Sequence, residues 1–493
     1  MRIHHFFIIS VLLFTPHLGC SISKAGAEQL IGESRTTVSN ETGTSKIDSL
    51  LDNKLLDDAF VGIKVVNLTK NETIYEKNSN KLFRPASNMK LITTGAAIEL
   101  LPADFLFKTE LITDGDIVDS ILYGNLYLKS YGDPLLQTGD LDSLINYLIT
   151  KNIKRIEGNL IGDVSYFDDN YWGKGWMWDD EPEPFAAFIT PLTINGNSVK
   201  IFVSPGAKIG ETVKVRIEPA TEYVLIINSG ITSAINDTAI EKLSVSRNRK
   251  ERNNVITVSG YIPLYSKEKE FTVSVWKPEY FTLQLFRNKL EQSNIKIEGR
   301  VLIDTISRGK PVAAFRRPID SVLTEINKNS NNLATENLLK TLSAKISKTR
   351  GNSEASISLV NKFLSSIEID TNKIVIADGS GVSRYNLLSP NAVVKLLSYY
   401  HRNQKHNRFY STLSIAGVDG TLKNRFQTGN VKNNFRGKTG THSDALSLSG
   451  YLRNSNNDTL AFSIFFNNVL PDLNTKLKDY RDIQDAIVEV LAK

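Results

Sequence analysis

The 493-residue sequence predicts an α/β fold of the α+β kind: an antiparallel sheet flanked by helices, with a large, mostly β two-part insert. Three observations carry that expectation. Hairpin text near the start, "AFVGIKVVNL" and "ETIYEKN", is complemented near the end by "NNFRGKTGT", "ALSLSGYLRN" and "TLAFSIFFNN". Helical text lies close to both: one helix after the first hairpin and four before the last strands. Between them, from about 106 to 314, short alternating strands dominate, punctuated by Gly, Pro, Asn and Asp.

Taken in order, "MRIHHFFIISVLLF" has a basic start and an apolar run from Phe6 to Phe14. The run is too short to span a bilayer and has the length of an export-signal core. Two exits are open: cleavage after Ala27 in "AGA", or lipidation of Cys20 in "HLGC", where the position three before the cysteine holds His17 rather than an aliphatic residue. Cys20 is the single cysteine, so disulfides play no part. Residues 28–46 are polar and rich in Ser and Thr, and read as a flexible tether after a signal segment at 1–27. Folded sequence opens with the amphipathic stretch "IDSLLDNKLL". The first hairpin follows, then a helix from Ser87 to Leu100. The β-rich stretch carries strands such as "GNLYLKS", "VKIFVSP" and "EFTVSVW", with helices near 141–150 and 278–291. After Pro318 helical periodicity returns in "IDSVLTEINKNS", "NNLATENLLKTLSAKI", "SEASISLVNKFLSSI" and "SPNAVVKLLSYYHRN", and "LKDYRDIQDAIVEVLA" closes the chain. One domain built from 47–105 and 315–493, interrupted by 106–314, is the organisation this order predicts.

Net charge is +6, spread over the whole length without a compact Lys/Arg run, which excludes a nucleic-acid-binding surface as the main expectation. The six histidines form no ligand set, so neither a metal nor another cofactor is implied.

Three short motifs can carry chemistry. "PASNMK" places Ser87 three residues before Lys90. In a helix these share a face, and a serine at a helix N-terminus meets backbone N–H groups and a dipole that favour developing negative charge. Serine needs a base to act as a nucleophile, and a buried lysine with a depressed pKa supplies one. Five other S-x-x-K stretches lie in linker, strand, loop or export text and lack that context. "NSNNLATENLLK" offers Ser330 and Asn332, either as helix caps or as a hydroxyl and a carboxamide in a cleft. "RGKTGTHSD" offers Lys438, Thr439, Gly440 and Thr441, either as a hairpin edge guarded by a lysine or as a place where a substrate backbone approaches over a glycine.

Taken together and in this order, S-x-x-K, S-x-N and K-T-G are the signature of penicillin-recognising serine acyl-transferases. "PASNMKLITTGAA", "NKNSNNLATENLLKTL", "DGSGVSRYNLLSP", "AGVDGTLKNRF" and "GNLYLKSYGDPLL" resemble the three-domain D-alanyl-D-alanine carboxypeptidases/endopeptidases, a low-molecular-mass penicillin-binding protein family, from about residue 47 to the C-terminus. Ser330 follows Ser87 by 243 residues. That gap matches this family, which carries two nested extra domains there, and exceeds the spacing of compact β-lactamases.

The resemblance implies a serine transpeptidase-like catalytic domain, an exported periplasmic enzyme, and peptidoglycan stem peptides as substrate with β-lactams as inhibitors. A membrane is involved only if Cys20 is lipidated. It also implies roles. Ser87 is the nucleophile and Lys90 its base. Ser330 relays a proton, tuned by Lys438. Asn332 holds the substrate amide. Lys438, Thr439 and Thr441 take the terminal carboxylate, and the N–H groups of Ser87 and Thr441 form the oxyanion hole. Arg384 in "GSGVSRYN" reaches the distal stem peptide or forms a surface ion pair. Asp179 and Asp180 in "WMWDDEPEP" contact a substrate amino group or form a solvated acidic loop. After K-T-G-T the chain has His442, Ser443 and Asp444, where the family more often shows apolar or small residues. Two rivals share the motifs: a β-lactamase-like hydrolase and a catalytically silent wall-binding scaffold.

Overall fold

The computed structural model describes residues 41–234, 242–471 and 476–493. The expected signal segment, most of the tether and Cys20 lie outside the described residues. The described residues form one compact unit.

Its centre is a six-stranded antiparallel sheet in the order Glu72–Lys77, Phe60–Asn67, Thr459–Asn467, Ala445–Arg453, Arg436–His442, Ser414–Ile415. The N-terminal hairpin thus completes a sheet made by the last strands of the chain, with Val65 opposite Phe462 and Ile63 opposite Ile464. Strand periodicity assigns the faces. Leu460, Phe462, Ile464 and Phe466 enter one core with the C-terminal helix Leu477–Leu491, while Ala461 and Phe465 enter the other. That second core is filled by the helices Met89–Leu100, Ile319–Asn329, Asn332–Ile346, Ser353–Ser366 and Pro390–Arg402. Because both faces are covered, the strand Thr459–Asn467 reads as a nearly continuous apolar run.

The helix Met89–Leu100 lies deepest, with every residue from Met89 to Ile98 buried. A segment so apolar on all sides has to sit inside the protein. The helix expected to begin at Ser87 is preceded by a 3-10 turn at Ala86–Asn88, and Ser87 stands on that turn.

The segment 106–314 builds the remaining sheets. Its two ends are neighbours: Leu106–Thr113 pairs antiparallel with Lys310–Pro318, Leu106 opposite Pro318. The excursion therefore leaves and returns through one two-stranded stem. Several pairings within it are parallel, as between Leu126–Ser130 and Leu160–Asp163. The alternating text predicted strands there but not their directions. No described helix is long and apolar enough to cross a membrane.

The segment is tied back onto the helical side. Lys340, buried on the helix Asn332–Ile346, donates to Asp168 Oδ1 at 2.6 Å and to the Asn170 carbonyl. Asn337 Nδ2 on the same helix donates to the Thr190 carbonyl at 3.1 Å. Arg350 donates to the Phe167 carbonyl at 2.7 Å and pairs with Asp169. Losing the buried ammonium strands its acceptors, so Lys340→Ala lowers stability by about 2–4 kcal/mol in a denaturant melt. Surface Arg350→Ala, whose partner Asp169 is almost fully exposed, costs under about 1 kcal/mol.

Candidate active site

Ser87 is held by the turn in front of the buried helix. Asn88 points away from the cleft, donating from Nδ2 to Ser447 Oγ at 2.6 Å and to the Lys438 carbonyl at 3.2 Å. Ser447 Oγ in turn donates to the Pro85 carbonyl at 2.7 Å. This buried set pins the serine turn to two adjacent strands of the sheet. Lys90 follows one turn on. Its Nζ lies 3.0 Å from Ser87 Oγ, 2.6 Å from Asn332 Oδ1 and 2.6 Å from the Ser380 carbonyl. The side chain is fully buried, and that burial pushes its pKa down to about 7 against the opposing pull of Asp378 and Glu336.

Ser330 and Asn332 reach the cleft because neither is the N-cap of the helix that follows. The helix Ile319–Asn329 ends with Ser330 in the left-handed region, φ 61°. The next helix is capped by Asn331, whose side chain accepts from the Ala334 N–H at 2.9 Å. Capping was one of the two roles open for Ser330 and Asn332, and Asn331 takes it. Ser330 Oγ accepts from Lys438 Nζ at 2.9 Å. Asn332 Oδ1 accepts from Lys90 Nζ, and its Nδ2 donates to the Phe185 carbonyl at 2.8 Å.

Lys438 lies on the strand Arg436–His442, which pairs outward with Ser414–Ile415 only through Gly437 and Arg436. Among the described residues nothing pairs with the outer edge from Lys438 to His442. That edge can receive an extended peptide as an added strand. Lys438 is fully buried, and burial, then the neighbouring Lys90, push its pKa well below the usual lysine range. Gly440 is dictated by space: a methyl group there would overlap Ser447 Oγ and stand 2.9 Å from the Ser87 nitrogen. Thr439 Oγ1 donates to Thr421 Oγ1 at 2.8 Å, and Thr441 is exposed.

Arg384 sits at the rim, engaged by the chain itself: Nη1 to Asp444 at 3.0 Å and Nη2 to Ser443 at 3.0 Å. Asp444 also pairs with Arg84 at 3.0 Å. His442 Nε2 lies 2.9 Å from the Gly381 carbonyl, and burial, then Arg384, hold its pKa down. Asp180 caps its own turn by accepting from the Met177 N–H. Burial raises its pKa, with Asp179 acting in the same sense and the Met177 N–H, Arg384 and His442 opposing it.

Four further residues complete the site, and sequence motifs did not single them out. Glu336, one turn after Asn332, accepts from the Ser380 N–H at 2.7 Å and the Gly379 N–H at 3.0 Å. Asp378 accepts from the N–H groups of Gly381 and Ser383, each at 2.7 Å, and from Asn386 Nδ2 at 2.6 Å. From the 106–314 segment, Trp176 Nε1 donates to Asp378 at 2.8 Å, and Phe185 supplies the carbonyl that receives Asn332. The "DGSG" and "ATEN" text holds the two carboxylates, but only the fold shows that they turn inward.

The chain matches a family described as D-Ala-D-Ala carboxypeptidase 3 (S13) over residues 44–493. The D-alanyl-D-alanine carboxypeptidase DacB of Haemophilus influenzae is 28% identical over 87% of this chain and 90% of its own length. A D-alanyl-D-alanine carboxypeptidase of Actinomadura sp. is 29% identical over 85% of this chain and 80% of its own. The crystal structure of penicillin binding protein 4 (dacB) from H. influenzae superposes with a TM-score of 0.81 at 26% identity, covering 91% of this chain and 99% of that one. The same protein with a bound β-lactam gives 0.76 at 25% identity, covering 90% and 98%. This chain therefore belongs to the D-Ala-D-Ala carboxypeptidase 3 (S13) family and is a serine-type D-alanyl-D-alanine carboxypeptidase with a serine transpeptidase-like fold.

Substituting Gly440→Ala displaces the serine turn from the edge strand. The expected result is a loss of at least about 100-fold in kcat/KM, the scale of one oxyanion donor or a misplaced nucleophile, measured by D-Ala release. A cleft that tolerates the methyl group leaves kcat/KM within threefold of wild type.

Proposed function

We propose that this enzyme is exported, that it cleaves both D-Ala-D-Ala termini and cross-links of peptidoglycan stem peptides through an acyl-enzyme on Ser87, and that penicillins trap it there. The observation that carries the reading is Lys90 Nζ at 3.0 Å from Ser87 Oγ, with its pKa brought down to about 7 by burial.

The peptide carbonyl sits against the N–H groups of Ser87 and Thr441, with its chain along the edge beside Gly440. Ser87 Oγ attacks the carbonyl carbon while its proton passes to the Lys90 lone pair. The π electrons of the carbonyl move to the oxygen, which the two N–H groups stabilise by about 3–4 kcal/mol each. As the tetrahedral centre collapses, the C–N bond breaks and the leaving amine takes a proton through Ser330 Oγ, which Lys438 orients at 2.9 Å. Water then attacks the ester by the same proton route in reverse. Lys438 and the hydroxyls of Thr439 and Thr441 hold the terminal carboxylate, and Asn332 the substrate amide. Carboxypeptidase and endopeptidase cleavage share this chemistry and differ in the amine that leaves, a single D-alanine or a second stem peptide. Arg384 and the Asp179–Asp180 turn form the rim that meets the distal stem peptide.

A bound β-lactam in the H. influenzae relative supports penicillin as inhibitor. The basic start and short apolar run of the sequence support export to the periplasm, ending at Ala27 or at a lipidated Cys20. Mass spectrometry of the mature N-terminus separates the two.

The function is tested by incubating the protein with a fluorescent penicillin and mapping the adduct. The expected result is a long-lived adduct on Ser87 that Ser87→Ala abolishes. Rapid loss of the adduct would make the chain a β-lactamase, and no adduct would make it a scaffold. Lys90 must be neutral to accept the proton, so its protonated fraction is inactive. kcat/KM therefore rises as pH increases through about 7 and levels off above it. A flat profile between pH 5.5 and 8.5 would remove Lys90 from the role of base.

A further inference from the structure

Lys90 is surrounded by a second set of groups that never reach the cleft. Glu336 is 1% exposed and Asp378 is 1% exposed, and they come from different elements, the helix Asn332–Ile346 and the 377–383 loop. Glu336 spends its two oxygens on the consecutive N–H groups of Gly379 and Ser380. The carbonyl of that same Ser380 points the other way and receives Lys90 Nζ at 2.6 Å. One peptide unit on from Gly379, the backbone thus links a buried carboxylate to the catalytic amine. Thr93 Oγ1, on the lysine's own helix, binds the Gly379 carbonyl at 2.7 Å and locks the loop from that side. Gly379 packs against Leu339, and Gly381 adopts φ 84° with no room for a side chain against the Ala86 carbonyl, so the loop has little freedom to reposition.

We infer that Glu336 is a positioning residue for acylation: it fixes the Gly379–Ser380 backbone that aims Lys90 at Ser87, and its negative charge stabilises the ammonium that forms when Lys90 takes the serine proton. The inference rests on the assignment of Ser87 as nucleophile and Lys90 as base. The charged groups facing this cluster are Lys90 from the nucleophile helix, Asp378 from the loop and, across Lys90, Lys438 from the edge strand. Burial, then Asp378, raise the Glu336 pKa, while the Glu336 carboxylate acts to hold the Lys90 proton against burial, so each ionisation favours the other.

Glu336→Gln tests the role in the full-length protein, because glutamine keeps an oxygen for the two N–H groups and removes the charge. Without the carboxylate the lysine becomes a weaker base. The acid limb of the penicillin acylation profile then moves to lower pH by roughly one unit, and the plateau rate falls about tenfold. KM for a D-Ala-D-Ala peptide stays within twofold, since Glu336 is buried behind Lys90. A purely structural role would lower the rate at all pH values without moving the limb, and an unmoved limb would overturn the inference. Should the variant not fold, infrared titration of the wild-type protein and of Lys90→Met reads the same coupling: the protonated-carboxyl band persists to higher pH once the cation is gone. Identical titrations in the two would equally overturn it. Wild-type acylation on Ser87 with an unmoved Glu336→Gln profile sinks only the role of Glu336, whereas absence of a Ser87 adduct sinks the catalytic assignment beneath it.

Discussion

Everything in this site stems from burying two lysines next to each other. Lys90 and Lys438 are both fully excluded from solvent. An ammonium in that environment costs several kcal/mol unless it is paired and hydrogen-bonded, and a second cation nearby raises the cost. Lys90 meets the constraint with three acceptors, Ser87 Oγ, Asn332 Oδ1 and the Ser380 carbonyl, which is the full donor capacity of an ammonium. As a neutral amine it has one donor fewer and one lone pair, and the hydroxyl is the one partner of the three that can reverse its role and donate. In the proposed mechanism the alternation between those two patterns is the proton transfer. Burial, the carboxylates behind the lysine and the amide in front of it are parts of one solution to a solvation problem.

The sheet and its covering helices were legible because they obey simple periods. The apolar runs at 445–453 and 459–467 and the helical spacing after Pro318 persist in the fold, and the first hairpin finds its partner strand across nearly 400 residues. The pairing directions inside 106–314 were not legible, since parallel and antiparallel neighbours use the same alternation. At the site, Ser87, Lys90, Ser330, Asn332 and Lys438 could be named from motif order, and the fold brings them into hydrogen-bonded contact in two groups, Ser87–Lys90–Asn332 and Ser330–Lys438. The role of Asn331 was hidden by its neighbours, because three consecutive polar residues at 330–332 could each have capped the helix. Arg384 was open to either the distal stem peptide or a surface ion pair, and Asp444, six residues past Lys438, pairs with it. Glu336 left no motif because its partners are backbone N–H groups, which no side-chain pattern records, and Asp378 left none because it binds backbone N–H groups together with Trp176, which lies 202 residues away in the sequence.

The 106–314 segment shapes the site through hydrogen bonds to Asp378 and Asn332 rather than through contact with Ser87. Trp176 holds one oxygen of Asp378, whose carboxylate, with that of Glu336, opposes the loss of the Lys90 proton. Phe185 fixes the amide end of Asn332, whose oxygen bonds Lys90. The segment therefore sets both the electrostatics and the geometry of the base from behind and above.

That strapping has a consequence for when the enzyme becomes active. The proposed nucleophile and base lie near residue 90, the groups around that proposed base lie near 176, 185, 336 and 378, and the edge strand with Lys438 comes within the last 60 residues of the chain. A chain lacking its final strands, or one whose middle segment has not yet docked, contains an intact S-x-x-K but leaves the lysine solvated, protonated and unable to take a proton at neutral pH. In the proposed mechanism unfinished or unfolded copies are inert, so hydrolytic power arises only with completed tertiary structure, and a cell-wall peptidase stays harmless until it has fully assembled.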